Sequence, residues 1–547
     1  MANKSLRIIP LGGLGEVGRN ALVIEYDDRL IVVDAGLMFP ENDMLGIDIV
    51  IPDLSYVFER ADRVVAVIVT HGHEDHVGAL SYLLDKVKAP VYATRLTRGL
   101  VEVKLREARV NGVNLHTIEP SDVLELDPFR IEFFQVSHSI PDGVGLAIST
   151  PLGLVVHSGD FKFDHSPVDG RCTDRAKLEE LGKRGVLLLL SDSINAERVG
   201  HTPSEKVVGE MFSRIFAETK GRIIVTTFAS NISRVQQVIE TAQQYGRRVA
   251  VVGRSMVNNV RIARELGYLN VPDDVLLPVE QLDHCPDNQV ALICTGSQGE
   301  PTSALVRMGQ GEFPSASVLP GDTVIISASP IPGNEEVINR TLDNLFRLGA
   351  NVFYDKVLDV HVSGHASQEE QKMMINLIRP RYFVPIHGEY RHLVLHGKLA
   401  QQCGVEPGDV FVMETGEVLE ISPDRAEIVD HVSDSYIFVD GRRVGDVMQP
   451  VIDERQILSR SGFLVVVATL DKYTGGLIGE PQIITRGFVY EAESADLLDR
   501  AKQEATKAVQ LGGTRSEIME RLKSYLMRFT FEETGRRPII VPVVTKV

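Results

Sequence analysis

Cysteine is scarce. The chain of 547 residues has four (Cys172, Cys285, Cys294 and Cys403), none of them in a CxxC spacing. That argues against a disulfide framework and predicts four reduced, mostly buried thiols. Long apolar runs are missing too: none approaches the roughly 18 residues that a membrane span needs. Near the start only Ile8, Ile9, Pro10 and Leu11 precede the glycine run. This is too short for a signal-peptide core and reads as a first strand, so a cytoplasmic protein with no membrane partner is expected. Positive charge is in deficit, with 57 Lys+Arg against 75 Asp+Glu and a net charge of −18. A simple basic nucleic-acid binder is therefore disfavoured. A nuclease is not, because bound cations supply local positive charge inside a cleft. Residues 455–547 carry 14 Lys+Arg against 11 Asp+Glu, so the acidic excess belongs to the rest of the chain. Internal repeats and low-complexity segments are absent.

What remains is ordinary for a globular protein, 44% hydrophobic and 24% charged, and too long for one core, so about two to four domains are expected. From Leu6 to about Ser191, short β-rich runs such as Ala21–Tyr26, Leu30–Asp34, Val64–Thr70, Ile131–Ser137 and Gly153–Ser158 are separated by turn signals. From about His201 strands and helices alternate, which predicts a parallel sheet covered by helices over 206–358. Sandwich-like strands return after Val360. The simplest organisation is one domain in two parts, 1–205 and 359–425, interrupted by an αβ insert at 206–358. A linker at 426–455 and a small α+β domain at 456–547 complete the chain.

The strongest chemical signal is His71-Gly72-His73-Glu74-Asp75-His76, placed directly after the apolar strand Val64–Val69 and before a helix. Three imidazoles and a carboxylate in the spacing H-x-H-x-D-H can converge on metal ions at such a turn, and neutral imidazole suits zinc or manganese. A solvated polar turn would not require that spacing. His138, Asp160 and His387 each close an apolar strand, as does Asp34. Singly they read as caps or core residues, but together they gather on one edge of a sandwich. In His361-Val362-Ser363-Gly364-His365-Ala366-Ser367, Ser367 with Glu370 forms a capping box for a helix Gln368–Ile378. The free N–H groups of that helix start, with Gly364 opening the backbone, make a plausible phosphate cradle. An ordinary capped helix would explain Ser367 but neither the histidines nor Gly364.

Asp34, His71-x-His73-x-Asp75-His76, His138 and Asp160 resemble the successive motifs of the metallo-β-lactamase fold. Asp192, His365 and His387 are similar to the added motifs of its β-CASP branch, which acts on nucleic acids. Within that branch the phrases Leu11–Asn20, His71–Ala79, Thr295–Pro301, His361–Ser367 and Pro385–Tyr390 resemble ribonuclease J. The resemblance implies an αββα metallo-β-lactamase sandwich with an inserted αβ β-CASP domain and a small α+β C-terminal domain. It implies two divalent ions, zinc or manganese. One would be held by His71, His73 and His138 and the other by Asp75, His76 and His387, with Asp160 bridging. Asp34 would orient a ligand imidazole, and Asp192 would do likewise near Asp75 or His365. The catalytic group would be His365, as general acid, with Asp75 and Asp192. His361, Val362, Ser363, Gly364 and His365 would grip substrate phosphate. The implied activity is 5′-to-3′ exonuclease and endonuclease action on RNA, preferring a 5′-monophosphate, in RNA maturation and decay. Partners would be RNA, further copies of the chain (dimer or tetramer) through the C-terminal domain, and other RNA-decay proteins.

Rival readings are a DNA-processing nuclease of the same branch, a non-catalytic RNA-binding subunit, and a true β-lactamase or thioester hydrolase. The ligand set disfavours the second, and the 150-residue insert with the His365 motif disfavours the third. Gly13-Leu14-Gly15-Glu16-Val17-Gly18 fits G-x-G-x-x-G, yet a hairpin follows where a dinucleotide fold needs a helix, so a tight turn near the site is expected. Glu74 reads as solvent-facing. Asp48, with Asp440, is a candidate for an additional structural cation.

Overall fold

The computed structural model describes residues 5–547 apart from 273–274, 301, 332–333, 442 and 491–492. Contacts divide it into two units, Met1–Phe39 with Ile49–Ile437 and Pro40–Asp48 with Phe438–Val547.

The first unit is built on two facing sheets. One has eight strands in the order Ala426–His431, Glu417–Ile421, Leu6–Gly12, Ala21–Tyr26, Arg29–Val33, Val64–Val69, Val91–Thr94, Leu115–Ile118. The other has six, in the order Pro380–Ile386, Val186–Asp192, Gly153–His157, Val144–Thr150, Phe129–Gln135, Val123–Leu126. Alternate residues of each face inward, and Ile8, Ile24, Ile31 and Ile68 meet Ile131, Leu146, Val155 and Leu190 in one core. Parallel strands need cover on both faces. On the outer face of the six-stranded sheet that cover comes from Leu178 and Leu181 of helix Arg175–Arg184 and from Met374, Ile375 and Ile378 of helix Gln368–Ile378. This is the expected αββα sandwich.

The expected insert is a five-stranded, all-parallel sheet in the order Arg248–Val252, Val290–Cys294, Ile223–Thr226, Thr323–Ile326, Asn351–Tyr354. Its two faces are separate cores. Ile223, Val225 and Ile293 pack under Phe212, Val235 and Val238. Ile224, Leu292 and Val324 pack under Leu305, Ile338 and Leu342. Helix Arg254–Glu265 was not anticipated from its sequence, although it buries Met256, Val260, Ile262 and Ala263.

In the second unit, Phe463–Leu470 runs antiparallel to Gln482–Arg486 and parallel to Ile539–Lys546. Helices Ala495–Gln510 and Arg515–Thr534 bury Ala501, Ala505, Leu522 and Leu526 against Leu464 and Val466.

Two expectations change. The 426–455 segment is not a plain linker: Ala426–His431 is an edge strand paired with Glu417–Ile421, and helix Gln449–Ser461 begins inside the segment. Residues 428–431 of that edge strand are exposed and include charge, as edges commonly do, which is why the run reads as a linker. The thiols are all free, but only Cys294 is buried. Cys172 is exposed, and Cys285 and Cys403 are half-buried.

Candidate metal centre

The His-rich turn begins where Val64–Val69 ends, beside the parallel strand Arg29–Val33. The short helix Glu74–Val77 leaves its carbonyls to other loops. Leu37 N–H donates to Glu74 O (3.0 Å), Asn20 N–H to Asp75 O (3.0 Å) and Ala35 N–H to His76 O (2.9 Å). Asp34, buried and in the left-handed region at φ 61°, accepts from Thr70 N–H (2.8 Å) and the Thr70 hydroxyl (2.7 Å). Its Oδ2 lies 2.8 Å from His76 Nδ1. That contact holds the ring through Nδ1 and points Nε2 inward, the usual way a carboxylate orients a ligand imidazole.

Two groups of ligand atoms result. In the first, His73 Nδ1 lies 3.0 Å from His71 Nε2 and 3.2 Å from His138 Nε2. His138 Nδ1 donates to Gly364 O at 2.8 Å, so Nε2 is its free nitrogen. In the second, His76 Nε2 lies 3.3 Å from Asp160 Oδ2 and 3.6 Å from Asp75 Oδ2, and His387 Nε2 lies 3.3 Å from Asp75 Oδ2. Asp160 Oδ2 is also 3.6 Å from His71 Nε2 and 3.9 Å from His138 Nε2, so one carboxylate stands between the groups.

Electrostatics separate them. Burial holds His71 and His138 well below the usual imidazole range, and takes His73 to about 4. These three rings are neutral donors at neutral pH. Burial also opposes charge on His76 and His387, but the carboxylates around them prevail. Asp160, Asp75 and Asp34 carry His76 well above its ordinary value, and Asp160 with Asp75 brings His387 up to about 10. Burial raises the carboxyls of Asp75 and Asp160, but the adjacent imidazoles outweigh it and hold both well below the usual range. Three ring nitrogens converging within hydrogen-bond distance cannot all be satisfied by shared protons. The buried Nε2 of His387, 3.3 Å from Asp75 Oδ2, makes no hydrogen bond of good geometry among the described residues. The donor set of imidazoles and carboxylates thus fits divalent cations.

His365 stands at the rim with 18% of its side chain exposed, and its Nδ1 lies 2.8 Å from Asp192 Oδ2. Of the two positions expected for Asp192, the structure thus takes the one at His365. The Asp192 Oδ1 accepts from Ile194 N–H (3.1 Å). His365 is also within ligand range of His138 with Asp160, and of Asp192 with His387, so distance alone does not distinguish an acid from a ligand here.

The 361–367 segment departs from expectation in three ways. The helix Gln368–Ile378 is there, with Ser367 N–H donating to Glu370 (3.0 Å), but its start is not free. Gln368 N–H donates to Arg198 O (3.0 Å) and Glu369 N–H to Gly200 O (3.1 Å). Gly364 does not face open space on its Cβ side: a Cβ there would lie 2.6 Å from His138 Cε1, so a side chain at 364 would meet that ring. The Val362 side chain is buried in the insert's core. Ser363 remains suitable. Its Oγ accepts from Asn195 Nδ2 (2.9 Å) and His365 N–H (3.2 Å), which leaves its own O–H to donate. His361 Nδ1 is buried without a hydrogen-bond partner among the described residues. Burial, then Arg234, Arg198 and Lys162 nearby, hold its pKa well below the ordinary value.

Glu74 is solvent-facing, with Lys104 Nζ at 2.6 Å. Asp48 accepts from Gly441 N–H (2.7 Å) and Asp440 from Arg455 (2.7 Å). Neither aspartate joins a group of candidate metal ligands among the described residues. The glycine run forms turns and the two-residue strand Leu14–Gly15, not a nucleotide loop. Sequence reading missed Asn20, Asn195 and Lys162. Each is a lone polar residue whose partner lies far away in sequence.

Comparison with known proteins agrees with this geometry. Residues 14–199 match the metallo-beta-lactamase superfamily and 354–412 the Zn-dependent metallo-hydrolase RNA specificity domain. Residues 220–345 match the ribonuclease J beta-CASP domain and 450–547 the ribonuclease J C-terminal domain. The chain is similar to ribonuclease J2 of Bacillus subtilis, 44% identical over 550 residues covering 100% of this chain and 99% of the relative. Similarity to ribonuclease J 2 of Staphylococcus aureus is 39% over 551 residues, with the same coverage. A solved Enterococcus faecalis protein of unknown function shares the fold, with TM-score 0.53, 16% identity, and 76% of this chain and 100% of that chain covered.

Proposed function

The chain belongs to the ribonuclease J family and is a metal-dependent RNA hydrolase, and from that premise we propose that it cuts RNA both from the 5′ end, in the 5′-to-3′ direction, and internally. The observation that carries this reading is the pair of ligand groups sharing Asp160. His71, His73 and His138 would hold one divalent cation and Asp75, His76 and His387 the other, zinc or manganese. When bound, the two cations offset charge in the transition state and make water acidic enough to attack phosphorus at neutral pH.

The remaining steps belong to the chain. Asp34 fixes the His76 tautomer. Asp192 holds His365 Nδ1, which leaves Nε2 to deliver a proton to the departing oxygen. The Ser363 hydroxyl donates to a substrate phosphate, and the exposed Arg198 adds positive charge nearby, whereas Arg234 and Lys162 are buried beside Glu205. A 5′-monophosphate seated there sets the register of the first cut. A triphosphate overfills the place and a hydroxyl leaves it empty. RNA maturation and decay in the cytoplasm, self-association through the C-terminal domain into dimers or tetramers, and association with other RNA-decay proteins belong to the same reading.

The test is digestion of one RNA labelled at either end and carrying a 5′-monophosphate, triphosphate or hydroxyl. Faster mononucleotide release from the monophosphate is expected, with internal cuts nearly indifferent to the end. Equal exonucleolytic rates on all three ends would refute the end preference.

A further inference from the structure

The glycine run 12–18 delivers Asn20 to the metal centre. Asn20 is 9% exposed. Its backbone is fixed on both sides, N–H to Asp75 O (3.0 Å) and carbonyl from Gly36 N–H (2.9 Å). Its carboxamide Nδ2 lies 3.1 Å from His76 Nε2 and 3.4 Å from Asp75 Oδ2. These are the atoms through which the second group would bind its cation. Gly13 makes the placement possible: at φ 84°, a Cβ on it would lie 2.2 Å from Asn20 Oδ1. A side chain at 13 would therefore push the amide away from Asp75 and His76.

The spacing is informative. Ligand atoms at about 2.1 Å from one cation, roughly at right angles, stand about 3.0 Å apart, close to the separations Asn20 makes with its two neighbours. The two ends of a carboxamide are similar in size, and a half-turn about Cβ–Cγ puts Oδ1 where Nδ2 stands. We propose that Asn20 is a further ligand of the second group, offering its amide oxygen to the cation held by Asp75, His76, Asp160 and His387. A neutral hard oxygen added to imidazoles and carboxylates raises the coordination number and favours manganese over zinc. The proposal rests on the reading that this group holds a cation.

The test is metal binding rather than turnover. Metal-free full-length chain, wild type and Asn20→Ala, is titrated with Mn2+ and separately with Zn2+ in competition with a chromogenic chelator. Wild type should take up two ions. Asn20→Ala should hold one of them with unchanged affinity and the other about 10–100-fold more weakly, with the larger loss for Mn2+. Asn20→Asp, which keeps an oxygen in place, should retain Mn2+ and guards against a variant that merely loosens the turn. Unchanged affinity for both ions in Asn20→Ala overturns the proposal, and so does an equal loss in Asn20→Ala and Asn20→Asp. Wild-type chain that takes up no divalent ion overturns the underlying reading as well, which separates the two failures.

Discussion

The loops 71–76 and 361–367 have much in common as sequence: each is rich in histidine, carries a glycine and leads into a helix. The structure uses them in opposite ways. In the first, backbone carbonyls are tied off by Leu37, Asn20 and Ala35, and the side chains turn their ligand atoms toward one another. In the second, the backbone is equally tied off, and the tie removes the feature that the sequence offered. The N–H groups at the helix start go to Arg198 and Gly200. Gly364 gives its open side to the His138 ring. What the second loop presents to the cleft is side chains alone, Ser363 and His365. A metal motif is thus a statement about side-chain spacing and survives folding. A helix-start phosphate site is a statement about backbone groups, and any nearby carbonyl can take them.

The difference is sharpest in mutants. Asp75→Ala removes a carboxylate from the second ligand group, and turnover should fall by more than the loss of a general acid would give, with one ion lost from the purified protein. Elemental analysis with an RNA-cleavage assay checks both. A variant still carrying two ions and cutting at the wild-type rate would erase the contrast between the loops. His365→Ala comes next. Loss of an acid at the leaving oxygen is expected to lower kcat by about 10²–10⁴-fold with little change in KM. Metal content should stay at the wild-type level, and loss of an ion would place His365 among the ligands instead.

Ser363→Ala should act only on end recognition. Losing a hydrogen bond to a charged phosphate weakens the preference for monophosphorylated RNA by about 1.5–3 kcal/mol, read as the ratio of exonucleolytic rates on the three 5′ ends. Gly364→Ala tests the link between the loops. The added methyl meets the His138 ring, an overpacking expected to cost about 1–3 kcal/mol in thermal or denaturant unfolding. No loss of stability would mean that the ring moves aside freely.

Much of this was legible beforehand. His71, His73, Asp75 and His76 are local in sequence, and the strand ends that supply His138, Asp160 and His387 announce themselves by apolar runs. Helix Gln368–Ile378 and its cap were readable for the same reason. Asn20 was not, because its meaning depends on Asp75 and His76 across a turn whose glycines pointed to a different chemistry. The packing of Gly364 against His138 was not readable, because a separate strand brings that ring there. The segment Pro40–Asp48 joins the second unit with no composition signal to mark it.

If the clustered imidazoles and carboxylates work by holding divalent cations, cleavage depends on those cations. The most direct measurement is cleavage of an end-labelled RNA by purified full-length chain, before and after exhaustive chelation, and again after Mn2+ or Zn2+ is added back. Cleavage should vanish on chelation and return with the cation in proportion to the ions bound. Undiminished cleavage in excess chelator, with no metal left in the protein, would contradict the account.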